Sequence, residues 1–326
     1  MISAFDAYVA AALFERDGAV FALGDGTVRF EGGAVVQAHA GPVLSAVLHP
    51  SGEGVITGGD DGRLVWSRPA GPAVLAELRG KWIDALDASP ASGLIAFAGG
   101  RELHVRDVAD PAFERRFPHE RTVAAAAFEP KGRRLAAATY GGVALRFARI
   151  AEQTPVMLRW AGSHIGLAFS PDGRFLVSAM QENDLHGWRL SDAKSLRMGG
   201  YPSKVKSIAF LAKGSLMATA GAQGAVVWPF VGANGPMGRE AAEIGFQQDV
   251  LVTRVAASVD GARLAAGLDD GRVWVAEMQG RGLDFLKAEK GPSISALSMS
   301  SDSARLAWMM SSSVKPCAAA DPFLPR

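Results

Sequence analysis

The chain repeats itself about every 40 residues, and no other feature narrows its possible fold as far. Residues 39–66, HAGPVLSAVLHPSGEGVITGGDDGRLVW, show the unit most clearly. A strand pattern opens at Val43, turns at Pro50, Ser51 and Gly52, and resumes over 55–57. It turns tightly at Asp60, Asp61 and Gly62 and ends on Trp66. Alternating apolar residues, interrupted this often by Gly, Pro and Asp, read as consecutive antiparallel strands.

The unit reduces to an apolar residue, a second one five positions on, often Pro at seven and Gly at nine. Copies start at Val9, Val43, Ile83, Val123, His164, Val205, Val252 and Ile294, which makes eight. Val123, Phe128, Pro130 and Gly132 match in full; the last copy has Ser303 where the glycine belongs. Pro and Gly supply the fixed and the positive φ that a turn between the first and second strands needs. Asp25-Gly26, Asp61-Gly62, Gly141-Gly142, Gln223-Gly224 and Asp270-Gly271 then supply tight turns to a third strand. Asn183-Asp184 and Arg101-Glu102 are weaker versions. That strand tends to end on an aromatic: Phe30, Trp66, Phe147, Trp188, Trp228 or Trp274. Less regular apolar segments such as 34–37, 74–78 and 243–246 supply a fourth.

A period of about 40 residues with four strands per repeat is that of a β-propeller blade. The sequence therefore predicts an all-β propeller of four-stranded antiparallel blades, eight by repeat count, with seven the alternative. Residues 1–317 are expected to form one domain and 318–326 a short disordered tail. The final repeat lacks an outer strand of its own, and residues 2–5 are placed to supply it and remove an open edge.

The units resemble the WD40 repeat over nearly all of residues 5–315. That family's F-x-P-x-G hairpin stands here as FEPKG at 128–132 and FSPDG at 169–173. Its Gly-His survives as Ala38-His39 and Pro118-His119, and its Trp-Asp dipeptide is lost: Ser67 follows Trp66 and Arg189 follows Trp188. The aromatic also stands one residue nearer the tight turn, and a one-residue shift in a strand sends a side chain to the other face. The resemblance therefore does not extend to the family's buried Asp–His–Ser/Thr–Trp network, even in the central unit with His39, Thr57 and Asp60. The tryptophans are expected to pack between blades instead.

Charge excludes little but points one way. Lys and Arg total 34 against 33 Asp and Glu, without the basic surplus that phosphate backbones demand, so no nucleic-acid partner is expected. Cys317 is the only cysteine; it allows no intrachain disulfide and fits a reducing compartment. The apolar run at 7–14 is too short to span a bilayer and has no basic flank, so a cytoplasmic protein with no membrane partner is expected.

Chemistry-bearing residues are mostly explained by the repeat itself. The Asp60-Asp61 and Asp269-Asp270 pairs fall in tight turns that favour Asp. The six histidines are dispersed among the repeats without ligand spacing. No cofactor, metal or catalytic residue is assigned. What the repeat does not explain is a set of aromatic and basic residues in or beside loops: Lys81, Trp82, Arg101, Tyr140, Trp160, Tyr201 and Lys204. In WD40-like propellers the second-to-third and fourth-to-first loops share a face that commonly binds partners. Trp, Tyr and Arg dominate interface hot spots because each joins a large apolar area to a polar handle. The expected function is a non-enzymatic scaffold that binds a protein or peptide there, with Trp82, Tyr140 and Tyr201 as anchors and Lys81, Arg101 and Lys204 steering an acidic partner. The alternative is a metal-dependent, hydrolase- or lactonase-like propeller enzyme with its site at the channel mouth.

Overall fold

In the computed structural model, which describes residues 2–3, 5–16, 18–280, 282–311 and 317–320, the central repeat forms the strands its pattern implies. Val43–Leu48, Val55–Gly59, Arg63–Arg68 and Gly71–Glu77 follow one another in a four-stranded antiparallel sheet. Leu48 pairs with Val55, Val55 with Ser67, and Arg63 with Glu77. The second strand is buried along its whole length, whereas the outer strand has no buried residue. Gly62 is required where it stands: its φ is 77°, and a Cβ there would lie 2.3 Å from the Leu78 carbonyl oxygen.

The same order recurs over Val9–Glu15 to Val35–Gln37, Ala85–Ser89 to Glu114–Pro118, Ile208–Leu211 to Ala242–Ile244, and Val252–Ala257 to Leu283–Lys287. A sixth four-stranded sheet takes its outer strand from the start of the chain. Ile2–Ser3 pairs with Cys317–Ala320, which pairs with Leu306–Met310 beside Ile294–Met299. Residues 318–320, expected in a disordered tail, thus belong to a strand; residues 321–326 lie outside the described residues.

Where two further sheets were expected, the strands form a single sheet of six, so the described residues make six four-stranded blades and this one larger sheet, rather than eight or seven blades. The physical cause is two 14-residue elements, Arg134–Phe147 and Val156–Phe169, whose ladders continue through a change of partner. Arg134–Phe147 folds back on itself, since the Ala148 amide donates to the Arg133 carbonyl at 2.9 Å, and the reversal runs through Gly141 and Gly142 at positive φ. Val156–Phe169 pairs with residues 142–145 through its first part and with 176–180 through its second.

By packing, the chain comprises two compact units, Ala22–Met198 and Met1–Phe21 with Gly199–Arg326. In the first, Leu94, Leu103, Phe117, Val123 and Leu135 join neighbouring repeats in one cluster, and Trp188 joins Leu145, Leu158 and Leu176 in another. In the second, Trp274 packs with Ala225, Val227 and Val252. Trp188 and Trp274 are fully buried and reach the adjacent repeat, as expected; each contributes roughly 2–3 kcal/mol by burial. Gly245 makes room for one of them, because a Cβ there would stand 2.7 Å from the Trp274 ring. Phe147 departs from the pattern and is about half exposed. Among the described residues no helix is long and apolar enough to cross a membrane.

Candidate interaction surface

Tight turns to the third strand and loops into the next first strand occupy the same end of each sheet. Lys81 and Trp82 lie in such a loop, fastened by Leu78 N–H to the Gly62 carbonyl (2.7 Å) and Ile83 N–H to the Gly59 carbonyl (3.1 Å). Those bonds hold the backbone and leave Trp82 66% exposed. The Lys81 stem packs on Gly99, two residues before Arg101 in the next tight turn. The Arg101 carbonyl accepts from His119 N–H at 2.9 Å. His119 and Tyr140 line one cavity, and Tyr140, 64% exposed, pairs with Ser163. Trp160, 38% exposed, stacks on His186 at 3.9 Å, and its carbonyl is 3.0 Å from His164 Nε2. Five of the seven sequence-derived residues therefore form a succession of neighbours along one edge of the Ala22–Met198 unit.

The remaining two belong to the other unit. Tyr201 is buried, not an exposed anchor: its hydroxyl accepts from Trp228 Nε1 at 2.7 Å and meets Thr219 Oγ1 at 2.7 Å. Burial pushes its phenol up to about 12. Lys204 is half-buried beside Gly221. Tyr201 also contributes to a cavity of about 330 Å³ with Gln223, Trp228, Glu243 and Phe246.

The family network expected to be absent is present in part. His39 Nε2 is 2.8 Å from Thr57 Oγ1 and His39 Nδ1 is 3.0 Å from Asp61 Oδ1. Asp61, not Asp60, supplies the carboxylate; it also accepts from Ala40 N–H at 3.1 Å. Trp66 stays outside, donating to the Glu53 carbonyl and stacking on His49 at 4.1 Å. In the other unit Tyr201, Thr219 and Trp228 make a comparable chain with tyrosine in the histidine's place. These groups lock loop to sheet and are structural.

Along the Ala22–Met198 edge lies a cavity of about 440 Å³ lined by His119, Arg121, Tyr140, Arg146, Met157 and Arg159 among others. Arg146 is buried, with its guanidinium 4.4 Å over the Phe117 ring. Desolvation lowers its pKa from the usual arginine value. Burial, then the Arg146 charge, takes His119 down to about 4. Arg121, Arg146 and Arg159 stand outside the repeat pattern, and the one signal of them in the sequence is an arginine inside the apolar run VALRFA at 143–148. Among the described residues, no group of three or more His, Cys, Asp or Glu side chains is arranged to hold a metal ion.

Residues 33–66 match the WD40 family, described as WD domain, G-beta repeat. No curated protein sequence matches the chain. Solved structures do. The computationally designed Ika8 protein superposes with a TM-score of 0.75 at 19% identity, over 96% of this chain and 97% of that one. A chain of the Mitotic Checkpoint Complex matches with a TM-score of 0.64 at 18% identity, over 81% and 83%. The β-propeller domain of Myceliophteria thermophila Cps50 (Swd1) matches with a TM-score of 0.64 at 16% identity, over 86% and 96%. The fold so defined is an all-β propeller of four-stranded antiparallel blades. Within that fold, residues 33–66 carry a repeat that matches the WD40 family.

Proposed function

We propose that the protein is a non-enzymatic interaction scaffold whose protein or peptide partner docks on the edge carrying Lys81, Trp82, Arg101, Tyr140 and Trp160. The observation that carries this reading is the exposure of Trp82 and Tyr140, at 66% and 64%, the first on a loop tied to its sheet by backbone hydrogen bonds and the second paired with Ser163 at the reversal within Arg134–Phe147. Trp188 and Trp274, by contrast, are fully buried. Rigid aromatics on fixed loops lose little entropy on binding and are the side chains that most often dominate an interface. Lys81 and Arg101, both exposed beside them, favour an acidic partner by steering its approach. A similar fold occurs in a chain of the Mitotic Checkpoint Complex, which agrees with a role in assembly.

The blade number belongs to the same proposal. The fold-back within Arg134–Phe147 and the split pairing of Val156–Phe169 support reading the six-stranded sheet as two four-stranded blades joined through a shared element. On that reading the blades would number eight.

Affinity capture from the native host, comparing wild type with W82A/Y140A, tests the docking edge. Both positions are exposed, so the double variant should keep the wild-type melting temperature. A partner retained by wild type and lost by the variant supports the reading; equal retention removes these residues from the interface.

A further inference from the structure

Arginines in the Ala22–Met198 unit are commonly matched by carboxylates: Arg134 with Glu129 at 2.8 Å, Arg189 with Asp192 at 2.6 Å, Arg197 with Asp184 at 2.8 Å. The 440 Å³ cavity gathers three that are not. Arg121, Arg146 and Arg159 all line it, and none of the three makes an ion pair among the described residues. Arg146 is the decisive one. It is only 7% exposed, its Nε is buried with no hydrogen-bond partner, and its nearest compensation is the face of Phe117. A buried cation without a counter-ion is strongly unfavourable unless something else supplies the charge. Glu120 is the single carboxylate in the lining, and it is exposed. His119 contributes a further buried ring nitrogen, Nε2, with no partner, and it is neutral at pH 7. The cavity is a cationic socket with an unfilled demand for an anion.

We propose that this cavity seats an acidic side chain, an aspartate or glutamate carboxylate in an extended segment of the partner protein, which enters beside Tyr140 and pairs with Arg146. The assignment rests on the reading of this edge as a protein-docking surface and names the chemistry that surface selects. A peptide fits better than a free ion because the rim is apolar: Tyr140 and Met157 are exposed, and Pro118 and Pro155 flank them in the lining. Those groups give a peptide backbone and its neighbouring side chains something to cover. Arg121 and Arg159, both exposed at the mouth, attract the charge before Arg146 receives it. A guanidinium forks onto both carboxylate oxygens at once, which favours a carboxylate over a neutral amide of the same shape.

The test is fluorescence anisotropy with a fluorescein-labelled Glu-Glu-Phe-Glu-Glu peptide, its Gln-for-Glu counterpart, and inorganic phosphate as competitor. Wild type is expected to bind the Glu peptide and to bind the Gln peptide about tenfold more weakly, with affinity falling as salt rises. R146M is expected to lose at least about tenfold and R159Q about threefold. Equal binding of the Glu peptide by wild type and R146M overturns the proposal, as does failure of wild type to bind it at millimolar concentration. Phosphate bound through Arg146 in a protein that ignores the peptide overturns the peptide assignment. Should R146M not fold, the exposed pair R121Q/R159Q carries the same comparison. Partner capture with W82A, which lies outside the cavity lining, separates the two readings: a partner lost by W82A and kept by R146M removes the socket and leaves the docking edge, whereas one kept by W82A and lost by R146M removes Trp82 from the interface and leaves the socket.

Discussion

Arg146 lies with its guanidinium carbon 4.4 Å above the centre of the Phe117 ring, a cation resting on an aromatic face inside the protein. Such a contact is worth about 0.5–2 kcal/mol, less than the several kcal/mol that desolvating an unmatched charge costs. Methionine fills the apolar stem's volume beside Phe117 without the charge. R146M is therefore expected to be more stable than wild type by about 1–2 kcal/mol, read from urea midpoints at pH 7. A destabilisation of similar size would mean that Arg146 is already compensated.

The His39–Asp61 bond gives a second test. The hydrogen bonds of Asp61 fix the loop entering the central repeat, whereas the neighbouring Asp60 only faces Gly41. Burial pushes the Asp61 carboxyl up, and the bonds from His39 and from the Arg63 and Ala40 amides outweigh it and hold the group below its usual value. D61A is expected to cost about 2 kcal/mol and D60A less than about 0.5. Equal costs would contradict the register found here.

Acid should weaken the protein through His186. The ring stacks on Trp160 and meets Trp188 edge-on, and burial followed by the charges of His164 and Arg197 takes its pKa down to about 4. Because the folded-state value lies below the unfolded one, the unfolded chain binds the proton first. The stability is full above about pH 6.5 and is lost as pH falls toward 4. H186F, which keeps the stack, is expected to recover about 1–2 kcal/mol at pH 4.5 relative to its effect at pH 7.5.

Asp87 runs the other way. Burial raises its carboxyl to about 6 against the hydrogen bonds from the Phe128 and Ala88 amides, the former 2.6 Å long. A raised acid is best accommodated while protonated, so its contribution is present below about pH 4 and fades as pH rises through 6. D87N retains an acceptor for Phe128 N–H. Its stability relative to wild type should therefore grow by about 1–2 kcal/mol between pH 4 and pH 7, measured by urea unfolding at each pH.

Strands and turns were legible in the sequence because they obey a period. Val43–Leu48 through Gly71–Glu77 could be placed from alternation, Pro50 and Gly62, and five of the seven loop residues do line one edge. Tyr201 could not be separated from Tyr140 in that way. Both stand near turn glycines in the sequence, but Tyr140 falls within Arg134–Phe147 and points out, whereas the hydrogen bonds of Tyr201 to Trp228 and Thr219 turn it inward. The same limit hid the choice between Asp60 and Asp61, which depends on the conformation of the turn. It hid the socket too: a lone arginine in a strand reads as a solvated residue until Phe117 and the depth of the site are known. The merging of two repeats into one six-stranded sheet depends on hydrogen bonds across residues 140–142 and 160–163, which no residue type announces.

Site-specific photo-cross-linking in the native host tests the docking edge most directly. A benzoylphenylalanine placed at Trp82, at Tyr140 and, as a control, at exposed Lys131 in a turn at the opposite end of its sheet reports which edge a partner touches. The same protein adduct is expected at positions 82 and 140 and none at 131. No adduct at 82 and 140, or one equally strong at 131, would contradict it.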